Sequence, residues 1–314
     1  MTTGNENTAP ASQTPQTSAS QIPLASARGL TKHYRGFTLD SVDITVMGGE
    51  IVGFIGQNGA GKSTTIKAML GIVAPDAGSA QILGVSSTDL TRPAGTAVKE
   101  HIGVVFDSIA MPAHLRVADV GRIHAHAYRT WDAARFARMT ADFGLDARKT
   151  VKELSRGMGM KLGLACALCH DTRLLLLDEA TAGLDPMARD EVLDRLRAFV
   201  SDDRHAVFMS SHITSDLEHA ADRIICIDNG RIIFDLPKDD ITDTAGIARC
   251  RADDLSRIAA RQPDPRMRAI RHDYEVDVLV PDRYEFARQF PDIPCDRMTI
   301  DDYMALTLKG SALQ

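Results

Sequence analysis

Eight residues, Gly56 to Ser63, read GQNGAGKS. Gly56, Gly59 and Gly61 let the main chain curl so that successive N–H groups point inward at an anion. Lys62 can reach the β- and γ-phosphates of a nucleotide, and Ser63 can give its hydroxyl to Mg2+. Asn58, Ala60 and Thr64 complete the expected nucleotide contacts of this stretch. Far downstream, LLLLDE ends in Asp178 and Glu179. Asp178 closes an apolar run at the strand edge where ligands sit in open α/β sheets, and can hold Mg2+ through water. Glu179 follows it and can polarise an attacking water as a general base. A phosphate loop and a carboxylate pair are the parts needed to hydrolyse a nucleoside triphosphate such as ATP with Mg2+.

The elements that must position these groups are legible from periodicity. EIVGFI (Glu50 to Ile55) is a short, mostly apolar run expected as a buried strand that feeds the glycine loop. Ser63 to Leu70 reads as a helix with Gly71 as its C-terminal cap. Strand, glycine loop and helix form the context the phosphate-loop motif requires. Further strands are expected at Leu39 to Val46, His101 to Phe106, Leu174 to Leu177 and Ala206 to Ser210. Helices are expected at Val117 to Phe143, Ser155 to His170, Ala188 to Val200 and Thr214 to Ala221. Arg223 to Leu236 reads as a β-hairpin on an Asn229-Gly230 turn. The alternation gives an α/β fold with a mainly parallel sheet.

The chain has 314 residues, 44% of them apolar and 25% charged, with net charge −6. The length suits one large domain and a smaller one. The negative balance argues against a surface that coats nucleic acid, and no nucleic-acid partner is expected. No apolar run approaches the roughly 18–20 residues of a membrane span, and no secretory leader is evident. The chain is therefore expected in the cytosol, and any membrane work would need a separate spanning protein. Residues 1–26, rich in Ser, Thr, Gln, Asn, Pro and Ala, are expected to be a disordered tail. The ATP-binding domain is expected over 27–237. Residues 238–314, more charged and with weaker segments, are expected to form a small α/β accessory domain, with EVDVLV (Glu275 to Val280) as a strand and Arg283 to Phe290 as a helix. Five scattered cysteines do not suggest a disulfide framework.

LSRGM (Leu154 to Met158) precedes the apolar strand, and AGLD (Ala182 to Asp185) follows the carboxylate pair. With the phosphate loop, these segments make residues 27 to 236 resemble the ATP-binding subunit of an ABC transporter. The resemblance implies an ABC-type ATPase: a phosphate-loop fold with a parallel core, an antiparallel β subdomain and a helical signature subdomain. It implies a head-to-tail dimer with a second ATP-binding subunit, the same or a different chain. Ser155 and Gly157 of one copy would then face the γ-phosphate of ATP held by the other. Asp185 matches the loop that crosses the dimer interface. His212, in MSSHITSDLE, matches the switch histidine that senses the γ-phosphate. Tyr34 matches the aromatic that stacks on adenine, with His33 competing for that place. Asp107 stands where the family usually has a Mg2+-contacting glutamine.

The LSxGM variant, with Arg156 and Met158 in place of a glycine and a glutamine, resembles exporters of antibiotics and peptides. The resemblance therefore implies transmembrane permease partners, with residues 108–130 as the docking surface, and a peripheral location on the inner face of the cell membrane. The alternative class is a soluble ABC ATPase acting on ribosomes, DNA or cluster assembly. Such proteins usually carry two ATPase domains or a long coiled-coil insert, and neither is present here. Cys166-x-x-Cys169-His170 matches a haem-attachment pattern. It lies in an apolar helical run, however, and is expected to be buried core.

Overall fold

The computed structural model describes residues 22–108, 111–261 and 264–313. In chain order its elements are β1 (Ala25–Tyr34), β2 (Phe37–Val46), β3 (Ile51–Ile55), α1 (Lys62–Met69), β4 (Ala77–Ile82), β5 (Val85–Ser86), α2 (Ser87–Leu90), α3 (Thr96–Lys99) and β6 (Ile102–Val105). There follow α4 (Val117–Ala127), α5 (Ala133–Asp142), α6 (Arg156–Leu168), β7 (Leu174–Asp178), α7 (Pro186–Phe199), β8 (Ala206–Ser211), α8 (Thr214–Ala220), β9 (Arg223–Asp228) and β10 (Arg231–Pro237). The C-terminal part holds β11 (Gly246–Cys250), α9 (Asp254–Arg261), β12 (Arg268–Arg271), β13 (Val276–Val280), α10 (Arg283–Gln289), β14 (Cys295–Arg297), α11 (Ile300–Lys309) and β15 (Ser311–Ala312).

The central sheet runs β10-β9-β3-β8-β7-β6. All its neighbours are parallel except the β9–β10 hairpin. Every residue of β3, β7 and β8 is buried. Their side chains alternate between two cores, as a period of two requires. Ile51, Ile55, Leu175, Leu177, Val207 and Met209 face the core that includes α6 and α7. Val52, Phe54, Leu174, Leu176 and Phe208 face the core shared with α1 and the antiparallel sheet β2-β1-β4-β5. There the Phe54 and Phe208 rings tilt together with centroids 5.1 Å apart.

Two expectations are corrected. The helix expected over Val117 to Phe143 is two helices, because the chain turns extended at Tyr128 and Asp132 caps α5 by accepting from the Arg135 N–H. The ordered chain also enters its first strand at Ala25, ahead of the expected start at Ala27. Residues 1–21 of the expected tail, and 109–110 of the expected docking stretch, lie outside the described residues.

Beyond β10 the order β11-α9-β12-β13-α10-β14 builds an antiparallel sheet, β14-β11-β13-β12-β15. The first four of these strands carry the split β-α-β-β-α-β arrangement of ferredoxin-like folds. One face packs on α9 and α10 through Val276, Val278, Ile258, Phe286 and Phe290. The other face contributes Ile247 and Leu279 to the same core as α8 and α11.

Candidate active site

The three glycines of the phosphate loop are needed for conformation or for space. Gly61, the N-cap of α1, sits at φ 120°, a conformation side chains rarely adopt. A Cβ on Gly56 would lie 2.3 Å from the Ile227 carbonyl oxygen. Gly59 shares the conformational reason of Gly61 without its crowding. It is exposed at the tip of the loop, and a Cβ there would meet nothing within 4 Å. No packing demands a glycine at 59, and the expected role of Gly59 in curling the loop stands. Its φ of 84° turns the loop, and that left-handed backbone is what selects glycine. Asn58 is exposed beside it, Ala60 is buried, and Ser63 and Thr64 are half-buried in the first turn of α1.

The loop rests on the β9–β10 hairpin, whose Gly230 N–H donates to the Ala60 carbonyl at 2.9 Å. The first-turn N–H groups of α1, those of Ser63 and Thr64 among them, have no intrahelical acceptor, and the helix dipole adds to their pull on an anion. Lys62 is only 6% exposed, and its Nζ donates to the Gly56 carbonyl at 2.7 Å.

Strand register brings the carboxylates level with this loop. Asp178 of β7 pairs with Ser210 of β8, and Ile55 of β3 pairs with Ser211. The Ser210 hydroxyl donates to Asp178 Oδ1 at 2.7 Å, and Asp178 is buried. The fixed Asp178 carboxylate and the Ser63 hydroxyl, in the first turn of α1, are both hard-oxygen donors of the kind that suit Mg2+, which keeps most of its waters. Glu179 sits at φ 56°, a left-handed conformation that costs a non-glycine residue about 1–3 kcal/mol. Its N–H donates to the Ser210 carbonyl at 3.1 Å and to the Ser210 hydroxyl at 3.2 Å. The strained turn aims the carboxylate back over the loop. Oε1 lies 3.3 Å from Lys62 Nζ, and Oε2 lies 2.5 Å from His212 Nδ1. Lys62, Glu179 and His212 thus form one cluster, with Asp178 beside it.

The other expected residues have separate places. Tyr34 is exposed at the end of β1, 6.4 Å from the Phe37 ring. A Cβ on Gly61 would lie 3.1 Å from the Phe37 ring edge, so this aromatic hairpin overhangs the loop. His33 is also exposed, and its Nδ1 lies 3.3 Å from the Thr38 hydroxyl. Asp107 is exposed just beyond β6, the strand next to β7. Ser155 caps α6 by accepting from the Met158 N–H at 3.2 Å, and Asp185 caps α7 by accepting from the Ala188 N–H at 3.0 Å. A Cβ on Gly157 would lie 2.8 Å from the Gly183 carbonyl, so the first turn of α6 touches the loop before α7. Among the described residues no hydrogen bond or ion pair joins Ser155, Gly157 or Asp185 to Lys62, Glu179 or His212.

Three residues missed in the sequence belong here. Ser210 holds the Asp178 carboxylate and the Glu179 main chain, and only strand register could have revealed it. Phe37 lies above the loop, at the turn of an unanticipated β1–β2 hairpin. Met304, from α11, lines a cavity of about 260 Å3 with Gly56, Gln57, Asn58 and His212. No local signal points to it.

Cys166 and Cys169 lie in the apolar core, and burial pushes the Cys169 thiol up to about 11. Beside them His124, Tyr128 and His170 stack in series, with centroids 5.8 Å and 4.1 Å apart. Burial holds both imidazoles below their ordinary value near 6.5. Their Nδ1 atoms lie within hydrogen-bond reach of the Val120 and Glu100 carbonyls, at 2.9 and 2.8 Å.

The model of the family described as "ABC transporter" matches residues 39–182. The uncharacterized ABC transporter ATP-binding protein YhcH of Bacillus subtilis (strain 168) is 35% identical over 209 residues, covering 66% of this chain and 67% of that protein. The bacitracin transport ATP-binding protein BcrA of Bacillus licheniformis is 32% identical over 213 residues, covering 67% of this chain and 68% of that one. A solved ATP-binding subunit of an ABC transporter superposes with a TM-score of 0.62 at 27% identity, covering 69% of this chain and 91% of that one.

Proposed function

Because the chain belongs to the ABC transporter ATP-binding family, and is an ATPase of that class, we propose that it drives export through separate transmembrane subunits by closing and opening as a head-to-tail dimer. The cluster of Lys62, Glu179 and His212 at the level ends of β3, β7 and β8 carries this proposal.

Each residue has a role its chemistry supports. The phosphate loop, from Gly56 to Thr64, wraps the phosphates of ATP, and Tyr34 stacks on adenine. At the loop's tip, the exposed Gly59 leaves its main chain open to the phosphates. Ser63 and Asp178 would hold Mg2+, and Asp107 would assist them. Bound there, Mg2+ would supply positive charge against the phosphates. Lys62 and His212, which here pair with Glu179, turn to the γ-phosphate when it is present. That exchange releases the Glu179 carboxylate to orient the attacking water and take its proton. Ser155 and Gly157 of the partner copy close the site, with Asp185 crossing the interface. Loss of the γ-phosphate removes the contacts that bridge the copies, so nucleotide state biases a two-state dimer.

The permease supplies the membrane passage. Among the described residues no helix is long and apolar enough to cross a membrane. Residues 108–130 are the docking surface we propose for the permease, and the inner face of the cell membrane is the proposed location. Export is supported by the LSxGM form of the signature and by likeness to a bacitracin transport protein. The test is recovery of tagged Glu179→Gln with Mg·ATP from detergent-solubilised membranes. A stoichiometric multi-span partner is expected. Recovery only of soluble chains, ribosomes or nucleic acid would move the protein to the soluble ABC class.

A further inference from the structure

Helix α11 belongs to the C-terminal unit, yet its first turn is fastened to the segment that leaves the switch histidine. The Thr214 hydroxyl, two residues beyond His212, donates to Asp301 Oδ2 at 2.8 Å. The Ile300 N–H, at the start of α11, donates to Glu218 Oε1 of α8 at 2.7 Å. That N–H is one of the orphan donors of a helix N-terminus, and a carboxylate there also meets the positive end of the helix dipole. The first turn is rigid. Thr299 and Asp302 cap it reciprocally, with the Thr299 N–H donating to Asp302 Oδ2 at 3.0 Å and the Asp302 N–H donating to the Thr299 hydroxyl at 3.1 Å. Beneath these polar ties Leu217 of α8 shares a core with Ile300, Tyr303 and Leu306. One turn on, Met304 reaches the cavity walled by the phosphate loop and His212.

From this geometry we propose that α11 is a positioning element for His212, with Thr214 and Asp301 as its positioning residues. The C-terminal unit thereby tunes turnover from outside the nucleotide site. The segment from Ser211 to α8 is a short connection whose far end is held against α11 by two hydrogen bonds and an apolar core. A histidine that moves toward the γ-phosphate must pivot on that anchored end. If the anchor is lost, His212 samples more orientations, which lowers the fraction of bound ATP that is productively held. ATP binding through the loop and adenine contacts is left largely intact. The inference rests on the proposed γ-phosphate role of His212.

The experiment compares kcat and KM for Mg·ATP in the full chain and in Thr214→Val, Asp301→Ala, the double variant, Asp301→Asn and His212→Ala. Each single loss is expected to lower kcat about five- to tenfold with KM within about twofold, as removal of one hydrogen bond that acts only on orientation does. The double variant should be no worse than either single, since both remove the same bond. Asp301→Asn, whose amide oxygen still accepts from Thr214, should restore most of the rate. Thr214→Val tests the bond from the ATPase side even if Asp301→Ala unfolds α11. Singles within twofold of the parent, or losses that multiply in the double, overturn the inference. In that case a crippled His212→Ala leaves the histidine's own role standing. A His212→Ala variant that turns over normally overturns the histidine's role and the inference with it.

Discussion

At the residue scale, the nucleotide-binding end of the molecule is organised by one carboxylate. Glu179 is held by a buried lysine on one side and a half-exposed histidine on the other. Its backbone is strained to make that reach. Both partners are groups that an anionic γ-phosphate would claim. Lys62 contributes most, because its charge is desolvated within the loop and aimed by the Gly56 carbonyl. Lys62→Ala removes that charge-assisted contact, and ATP affinity is expected to fall about 100-fold, about 2.7 kcal/mol. A titration of the purified variant with a fluorescent ATP analogue measures it, and affinity within threefold of the parent would refute the assignment. Lys62, Asp178 and Glu179 were singled out from loop composition and strand-end position, and His212 from the family resemblance; the structure brings Lys62, Glu179 and His212 into one cluster. Ser210 and Met304 were not legible in the sequence. Ser210 acts through cross-strand register, and Met304 arrives from a helix more than ninety positions along the chain. Neither kind of neighbour leaves a local pattern.

At the element scale, the strands with all-apolar runs were read correctly, because burial on both faces leaves a continuous signal. The phosphate-loop helix was found for a similar reason, since glycine and lysine punctuate it. Strands β1, β4, β11 and β12 were missed; each carries exposed residues that interrupt an apolar or alternating pattern. The break between α4 and α5 was missed too, and it matters, since Tyr128 at the break stacks on His170. That stack makes a stability prediction. Both imidazoles are held below their ordinary value by burial, so the folded state favours them neutral. The unfolded chain therefore binds more protons as pH falls through about 6.5. Their contribution is fully present above that pH and is lost as pH drops toward the depressed folded values. The urea midpoint is expected to be lower at pH 5.5 than at pH 7.5, and His170→Phe, which keeps a ring in the stack without a titrating group, should narrow the gap. An unchanged gap would show that the pH dependence arises elsewhere.

At the scale of the whole molecule, the described chain contains only part of the proposed reaction site. Lys62, Glu179 and His212 meet in one cluster, whereas Ser155 and Gly157 make no hydrogen bond or ion pair with them among the described residues. On the proposed reading, a second copy, or a related chain, supplies the missing face. The C-terminal unit is joined to the cluster by a continuous core through α8 and α11. On the proposed role of α11, it moves with the switch segment. The measurement that tests the account most directly is the mass in solution of purified Glu179→Gln, with and without Mg·ATP, by analytical ultracentrifugation. The variant keeps the shape and hydrogen-bonding reach of the side chain but removes the base, so ATP should bind and persist. The account predicts a monomer without nucleotide, a dimer with Mg·ATP, and return to monomer when Gly157→Val is added to block the signature face. A Glu179→Gln protein that stays monomeric at saturating Mg·ATP, or that hydrolyses ATP at the parental rate, would contradict it.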